Sequence, residues 1–230
     1  MAAIYLIRHG QASFGDGDYD RLSGLGIEQS RVLGESLRIR VPQVDLVVCG
    51  GMQRHRQTAE ACLRAMQLVS QWDEDIGWNE YDHEELIVRF EPRYVDRQVL
   101  HDEVLATDDP HRAFQHLFSR AVSRWVGGEH DADYTESFPG FCTRANDALQ
   151  RLAQRLQPSQ NALVFTSGGP ISALAADLLR IPRSEGFKIS WTLANAAVTK
   201  LVVGERGVHL STLNEHAHFE GAHRRLISYR

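Results

Sequence analysis

The chain has 230 residues, 43% of them hydrophobic and 24% charged, with a formal net charge of −5. This composition excludes disordered and fibrous classes, and an acidic balance in which arginine carries most of the positive charge argues against a nucleic-acid or membrane-surface partner. Cys49, Cys62 and Cys142 are too few and too scattered for a disulfide framework or a zinc knuckle. They suit a reducing, cytoplasmic setting, and neither a signal-peptide pattern nor a segment long enough to span a bilayer is present.

Ile4 to Ile7 is a short apolar run that reads as a strand buried on both faces, and it stops at Arg8, His9 and Gly10. A polar loop, GQASFGDGDYDRL, follows. Ser23 is placed to cap a helix running to about Ile39, with Leu25, Leu33 and Leu37 on its inner face and Pro42 beyond its end. VDLVVCG from Val44 repeats the buried-strand pattern, ends in Gly50 and Gly51, and leads into helical spacing at Thr58, Ala61, Cys62, Ala65 and Met66. The alternation predicts a parallel sheet wrapped by helices.

From Asp73 to about Pro110 the chain is charged and irregular, with a short helix at HEELIVRF. Two helices follow, one through Phe114, Leu117, Phe118, Ala121 and Trp125, the other through Phe141, Ala145, Leu149, Leu152 and Leu156. Ser137 is a capping candidate in the loop between them. NALVFTSGGPISALAADLL reads as a third buried strand, a Gly-Gly turn and a helix with Pro170 near its first position. Trp191 and Asn195 read as packing and turn residues. AAVTKLVV and VHLSTL, joined by GERG, form a hairpin at the sheet edge, where the strand from Ala196 to Val203 and its hairpin, if left uncovered, offer a second copy a pairing surface for a homodimer. No repeat or linker marks a boundary. The expectation is a single α/β domain over residues 1–230, three-layer α/β/α, its mostly parallel sheet carrying an antiparallel edge strand. An irregular and helical insert at about 82–137 is expected to cover the pocket in part.

In doubly wound sheets ligands bind beyond the carboxyl ends of the strands. The first strand delivers Arg8, His9 and Gly10 there, the second Arg54 and Arg56, and the third the glycines and helix start of TSGGP. Two guanidinium groups and backbone amides suit a dianion such as phosphate. Neighbouring cations keep an imidazole neutral, and a neutral ring can attack phosphorus. Gly10 is read as leaving room for the anion, which would also relieve the unfavourable placement of Arg54 at a positive helix end. Arg56 shares that placement, and R-H-R points the two arginines to different faces, so only one of them is expected to enter the pocket.

LIRHG after the first strand, R-x-x-Q-T-A-E opening the second helix, a glutamate shortly after that helix, and a strand followed by GG resemble the histidine phosphatase superfamily, the phosphoglycerate mutase-like proteins. The resemblance runs from Ile4 to about Leu213. It implies a phosphoglycerate mutase-like fold and a phosphohistidine intermediate on His9. Arg8 and Arg54 would clamp the phosphoryl oxygens, and Glu80 would protonate the leaving oxygen, with no metal and no cofactor. Gln11, Ser13, Ser167 and Gly168 are the further phosphate-binding candidates.

Two departures stand out. Most members carry a second histidine before the Gly-Gly turn, where this chain has Ser167, which donates a hydrogen bond but no charge. Loss of one charge-assisted hydrogen bond is worth roughly 1.5–3 kcal/mol, on the order of ten- to a hundredfold in rate. Gly15 stands where many relatives place an asparagine, leaving Gln11 and Ser13 to compensate. His83 is an auxiliary candidate that would swing toward the position of the missing histidine, against a plainer reading as a surface residue of an acidic turn.

The expected activity is hydrolysis of a phosphomonoester on a phosphorylated small molecule or phosphoprotein. A mutase ranks below it because Asp16, Asp18 and Asp20 would repel a phosphorylated carboxylate. The rival from another class is a pseudophosphatase of weak or no activity, which binds a phospholigand or phosphoprotein without turnover. His209, His216, His218 and His223 cluster near one another, but no further ligand stands at a spacing that completes a metal site.

Overall fold

The computed structural model describes residues 1–13 and 20–229, so Gly15, Asp16 and Asp18 lie outside the described residues. Its strands are β1 (Ala2–Arg8), β2 (Leu46–Cys49), β3 (Asp73–Glu74), β4 (Asn161–Thr166), β5 (Val198–Gly204) and β6 (Gly207–Glu215). Its helices are α1 (Gly24–Arg40), α2 (Gln53–Ala65), α3 (His83–Phe90), α4 (Arg97–Leu105), α5 (Pro110–Val126), α6 (Phe138–Arg155), α7 (Gly168–Leu179) and the short α8 (Arg183–Gly186). They fall into two compact units, Met1–Glu80 with Arg144–Arg230, and Tyr81–Thr143.

The first unit is an α/β fold on a six-stranded sheet of order β3-β2-β4-β1-β5-β6. β3, β2, β4 and β1 run parallel, while β5 runs antiparallel to both of its neighbours, β1 and β6. β1 lies inside the sheet, as its unbroken apolar run requires. Its side chains alternate: Tyr5 and Ile7 join Leu33, Leu37, Leu63 and Phe165 in one core cluster, and Ile4 and Leu6 join Trp78, Leu149, Val164 and Leu174 in the other. Burying one such side chain is worth about 1.5–3 kcal/mol.

The hairpin lies at the sheet edge as expected, but which of its strands is outermost needs correction. β5 pairs with β1 on one side and β6 on the other, so the strand expected at the edge is internal. β6 and the two-residue β3 are the edges. Within residues 196–203, Val198–Val203 is paired on both sides, so the edge this hairpin presents is β6.

Ser23 caps α1, its Oγ accepting from Gly26 N at 3.0 Å. Behind this cap, α1 approaches the loop after β1 so closely that a Cβ on Gly10 would lie 2.4 Å from Gly26 O, and one on Gly26 would lie 2.2 Å from Gln11 O. Backbone contact with α1 is by itself enough to require the glycine at position 10.

The second unit is helical. Asp82 caps α3 by accepting from Glu84 N and Glu85 N. Trp125 lies 5.0 Å from both Tyr81 and Phe138 and 5.4 Å from Phe141, centroid to centroid, and its Nε1 donates to Glu136 O. α4 escapes the sequence reading because it buries no residue and so carries no apolar stripe. Among the described residues no helix is long and apolar enough to cross a membrane.

Candidate active site

The parallel register brings three strand ends level. Arg8 lies opposite Thr166 and Cys49 opposite Phe165, so His9 and Ser167 emerge level with each other and Gly50 one position before them. His9 N donates to Thr166 O at 2.9 Å and Gly50 N to Phe165 O at 3.0 Å.

His9 is 5% exposed. Its Nδ1 lies 2.7 Å from Gly10 O. A carbonyl only accepts, so Nδ1 carries the proton and the neutral ring keeps its lone pair on Nε2. Burial, then the charges of Arg54 and Arg8 and the neighbouring His55, hold the His9 pKa well below 6.5, outweighing the Gly10 carbonyl. The backbone behind the ring is fixed as well. His9 O accepts from Ala196 N and Asn195 Nδ2, both at 3.2 Å. Asn195 in turn accepts from Ser228 Oγ, and Gln29 Nε2 donates to Leu226 O and Ser228 Oγ. Asn195 therefore holds the His9 backbone in place and is more than a turn residue.

Arg8 donates through Nη1 to Leu193 O. Its guanidinium runs beside Gly168, where a Cβ would lie 3.6 Å from Arg8 Nε. Arg54, 3% exposed, sits in the first turn of α2. Its carbonyl accepts from Thr58 Oγ1 at 2.7 Å, and Thr58 Oγ1 accepts from Gly10 N at 3.0 Å, which couples the two cationic segments. The anion relieving Arg54 at the helix end is the chain's own: Asp20 Oδ1 lies 2.8 Å from Arg54 Nη1. Arg56 is directed away, paired with Glu74 in an exposed salt bridge.

Glu80 Oε2 accepts from Gly169 N at 3.0 Å, so a carboxylate holds one of the amides expected to face an anion. The segment leading to Glu80 is braced by Arg144 Nη1, which donates to Ile76, Gly77 and Asn79 carbonyls. Gln11 Oε1 accepts from Ser23 Oγ at 2.9 Å, and Ser13 N donates to Arg21 O. His83 is the first residue of α3, in the other unit.

Ser167 has a partner that the sequence reading missed. Its Oγ lies 2.6 Å from His55 Nε2, both residues fully buried. The His55 ring centroid is 5.8 Å from that of His9, with the planes 34° apart. A Cβ on Gly50 would fall 2.3 Å from His55 Nδ1, so the glycine makes the space for this ring. Burial, then Arg54 and Arg56, push the His55 pKa well below 6.5, against a weaker pull from the Gly50 backbone. The signal was an imidazole between two arginines in RHRQ, but its partner lies 112 residues away.

Among the described residues no group of three or more His, Cys, Asp or Glu is placed to hold a metal ion. His216 Nδ1 is engaged with Asn214 O, and the His218 ring packs on Phe219 at 4.1 Å.

Residues 4–97 and 88–216 match the family model of the histidine phosphatase superfamily (branch 1), and the chain belongs to that superfamily. Among curated proteins none matches it. Solved structures similar to it include a phosphoserine phosphatase from Entamoeba histolytica in complex with phosphoserine, 16% identical, TM-score 0.63, covering 95% of this chain and 99% of that one. A mycobacterial glucosyl-3-phosphoglycerate phosphatase is 22% identical, TM-score 0.62, covering 94% and 99%. A phosphoglycerate mutase from Bacillus anthracis is 17% identical, TM-score 0.64, covering 94% of each chain. At these identities the likeness establishes the mutase-like fold.

Proposed function

We propose that this chain hydrolyses phosphomonoesters through a phosphohistidine on His9. The observation that carries the reading is the Nδ1 hydrogen bond to Gly10 O, which leaves Nε2 as the lone-pair nitrogen beside Arg8 and Arg54. Nε2 attacks phosphorus and forms the N–P bond as the ester P–O bond breaks, and the leaving oxygen takes a proton from the Glu80 carboxyl. Water then returns a proton to the Glu80 carboxylate and attacks phosphorus, the N–P bond breaks, and phosphate leaves. The guanidinium groups spread the charge on the phosphoryl oxygens in both steps.

Family membership and the phosphatases among the structural relatives support this reading. Ser167 is read as standing where other members carry a second histidine. The substrate class is a phosphorylated small molecule, and the charge that the reaction needs comes from the two arginines, so a chelator is expected to leave the rate unchanged.

The test is release of an aryl alcohol from an aryl phosphate, with trapping of an acid-labile phosphoenzyme. His9→Ala is expected to reduce turnover by at least about a thousandfold and abolish trapping. Turnover surviving in His9→Ala overturns the phosphohistidine route. Tight phosphate binding without wild-type turnover assigns the chain to ligand binding instead.

A further inference from the structure

We propose that Ser167 and His55 act as one unit on the phosphoryl group, Ser167 Oγ–H donating to a phosphoryl oxygen while His55 gains a proton on anion binding and places positive charge behind that hydroxyl. The proposal rests on the phosphoryl site described above.

Three observations carry it. First, Ser167 holds the N-cap position of α7 with extended backbone, yet its side chain caps nothing. A serine there ordinarily accepts from one of the next amides. Here the second amide of the helix, Gly169 N, is served by Glu80, and the serine hydroxyl turns to His55 Nε2 at 2.6 Å. Second, the His55 ring flanks the nucleophile, 5.8 Å from His9, in space that Gly50 leaves open. Third, His55 is fully buried beside Arg54, where a proton on the ring is unfavourable unless negative charge comes close.

An arriving dianion supplies that favour. In the anion-free chain the ring is neutral. The charged and titratable groups that act on it are Arg54 and Arg56 on α2 and His9 beyond β1, with Arg56 already engaged by Glu74; Glu80 is held at Gly169 N, at the start of α7. A phosphoryl group between Arg8, Arg54 and His9 brings negative charge close to the ring and raises its proton affinity. The proton comes from solvent. The imidazolium then donates from Nε2 to Ser167 Oγ, which directs its own hydrogen to the phosphoryl oxygen. His55 is thereby a positioning residue acting through Ser167.

The test follows the His55 ring nitrogens of the wild-type chain by NMR while inorganic phosphate is added at pH 7. The expected result is conversion of the ring from neutral to doubly protonated at saturation. A ring that stays neutral with phosphate bound overturns the proposal. In parallel, His55→Asn and Ser167→Ala, checked for native melting behaviour, are each expected to lower kcat for an aryl phosphate on the order of tenfold to a hundredfold. The double variant is expected to be no worse than either single one. A wild-type rate and pH profile in His55→Asn, or losses that multiply in the double variant, overturn it. If His9→Ala keeps its turnover, the phosphohistidine reading fails while the NMR titration still decides the role of His55. A wild-type chain that binds no phosphate overturns both.

Discussion

Asp20 Oδ1 lies 2.8 Å from Arg54 Nη1 while its second oxygen accepts from Gln53 N at 2.8 Å, so a carboxylate of the chain rests on the guanidinium and helix end assigned to the phosphoryl group. It competes with an incoming anion for both. Asp20→Asn is expected to lower the inhibition constant of inorganic phosphate about fivefold, the equivalent of about 1 kcal/mol for a partly exposed ion pair. Measured competition against an aryl phosphate checks this, and an unchanged or higher constant would show that Asp20 helps to assemble the site.

The low proton affinity of His9 gives an expectation for the acidic side of the pH–rate curve under the proposed function. Burial, Arg54, Arg8 and His55 keep the ring neutral below its ordinary pKa of 6.5. The acidic limb of kcat/KM assignable to the nucleophile is therefore expected below pH 6.5. A histidine limb at or above that value in the free enzyme would contradict the buried, arginine-flanked geometry.

Two glycines of α1 are expected to respond in opposite senses to the same change. Gly26→Ala puts a Cβ 2.2 Å from Gln11 O, a backbone atom that cannot swing aside, and is expected to cost about 1–3 kcal/mol. Gly24 is exposed with nothing within 4 Å of an added Cβ, and Gly24→Ala is expected to stabilise by about 0.5 kcal/mol. Urea unfolding of the pair checks both signs.

Three histidines link stability to acid. Burial lowers the pKa of His9 and His55 well below 6.5 and that of His218 to about 4, with Arg40 a lesser cause at His218. Between pH 6.5 and these lower values the unfolded chain binds protons that the native chain does not, so stability falls as pH falls, by about 1.4 kcal/mol per unit for each histidine. Above 6.5 they contribute no slope. His218→Gln is expected to remove one such share between pH 6 and 5 in urea titrations; an unchanged slope would mean that His218 protonates freely in the native state.

Elements that bury an apolar face were legible in the amino-acid pattern. β1, α1, α2, α5, α6, β4 and α7 all announce themselves by periodicity, and HEELIVRF coincides with α3. β3 and α4 did not, because two exposed acidic residues and a helix with no buried side chain leave no such imprint. The internal placement of β5 was also hidden, since a hairpin pattern does not say what lies on its other side. At the site, Arg8, His9, Arg54, Glu80 and Ser167 could be picked out because each adjoins a strand end or a motif. His55, Asp20 and Asn195 were passed over for one reason: their significance lies in partners remote in sequence, Ser167, Arg54 and the His9 carbonyl.

The position of β1 between β4 and β5 bears on how the protein comes into being. A central strand made well before both of its neighbours stays unpaired on the ribosome until Asn161–Gly204 have emerged. Pairings so distant close slowly, leaving Ile4, Leu6 and Ile7 exposed to chaperones or to aggregation meanwhile. The His9 imidazole next to them gains its supports only after Asn195 and Ser228 are synthesised, so a ribosome-bound fragment carries the ring without its setting.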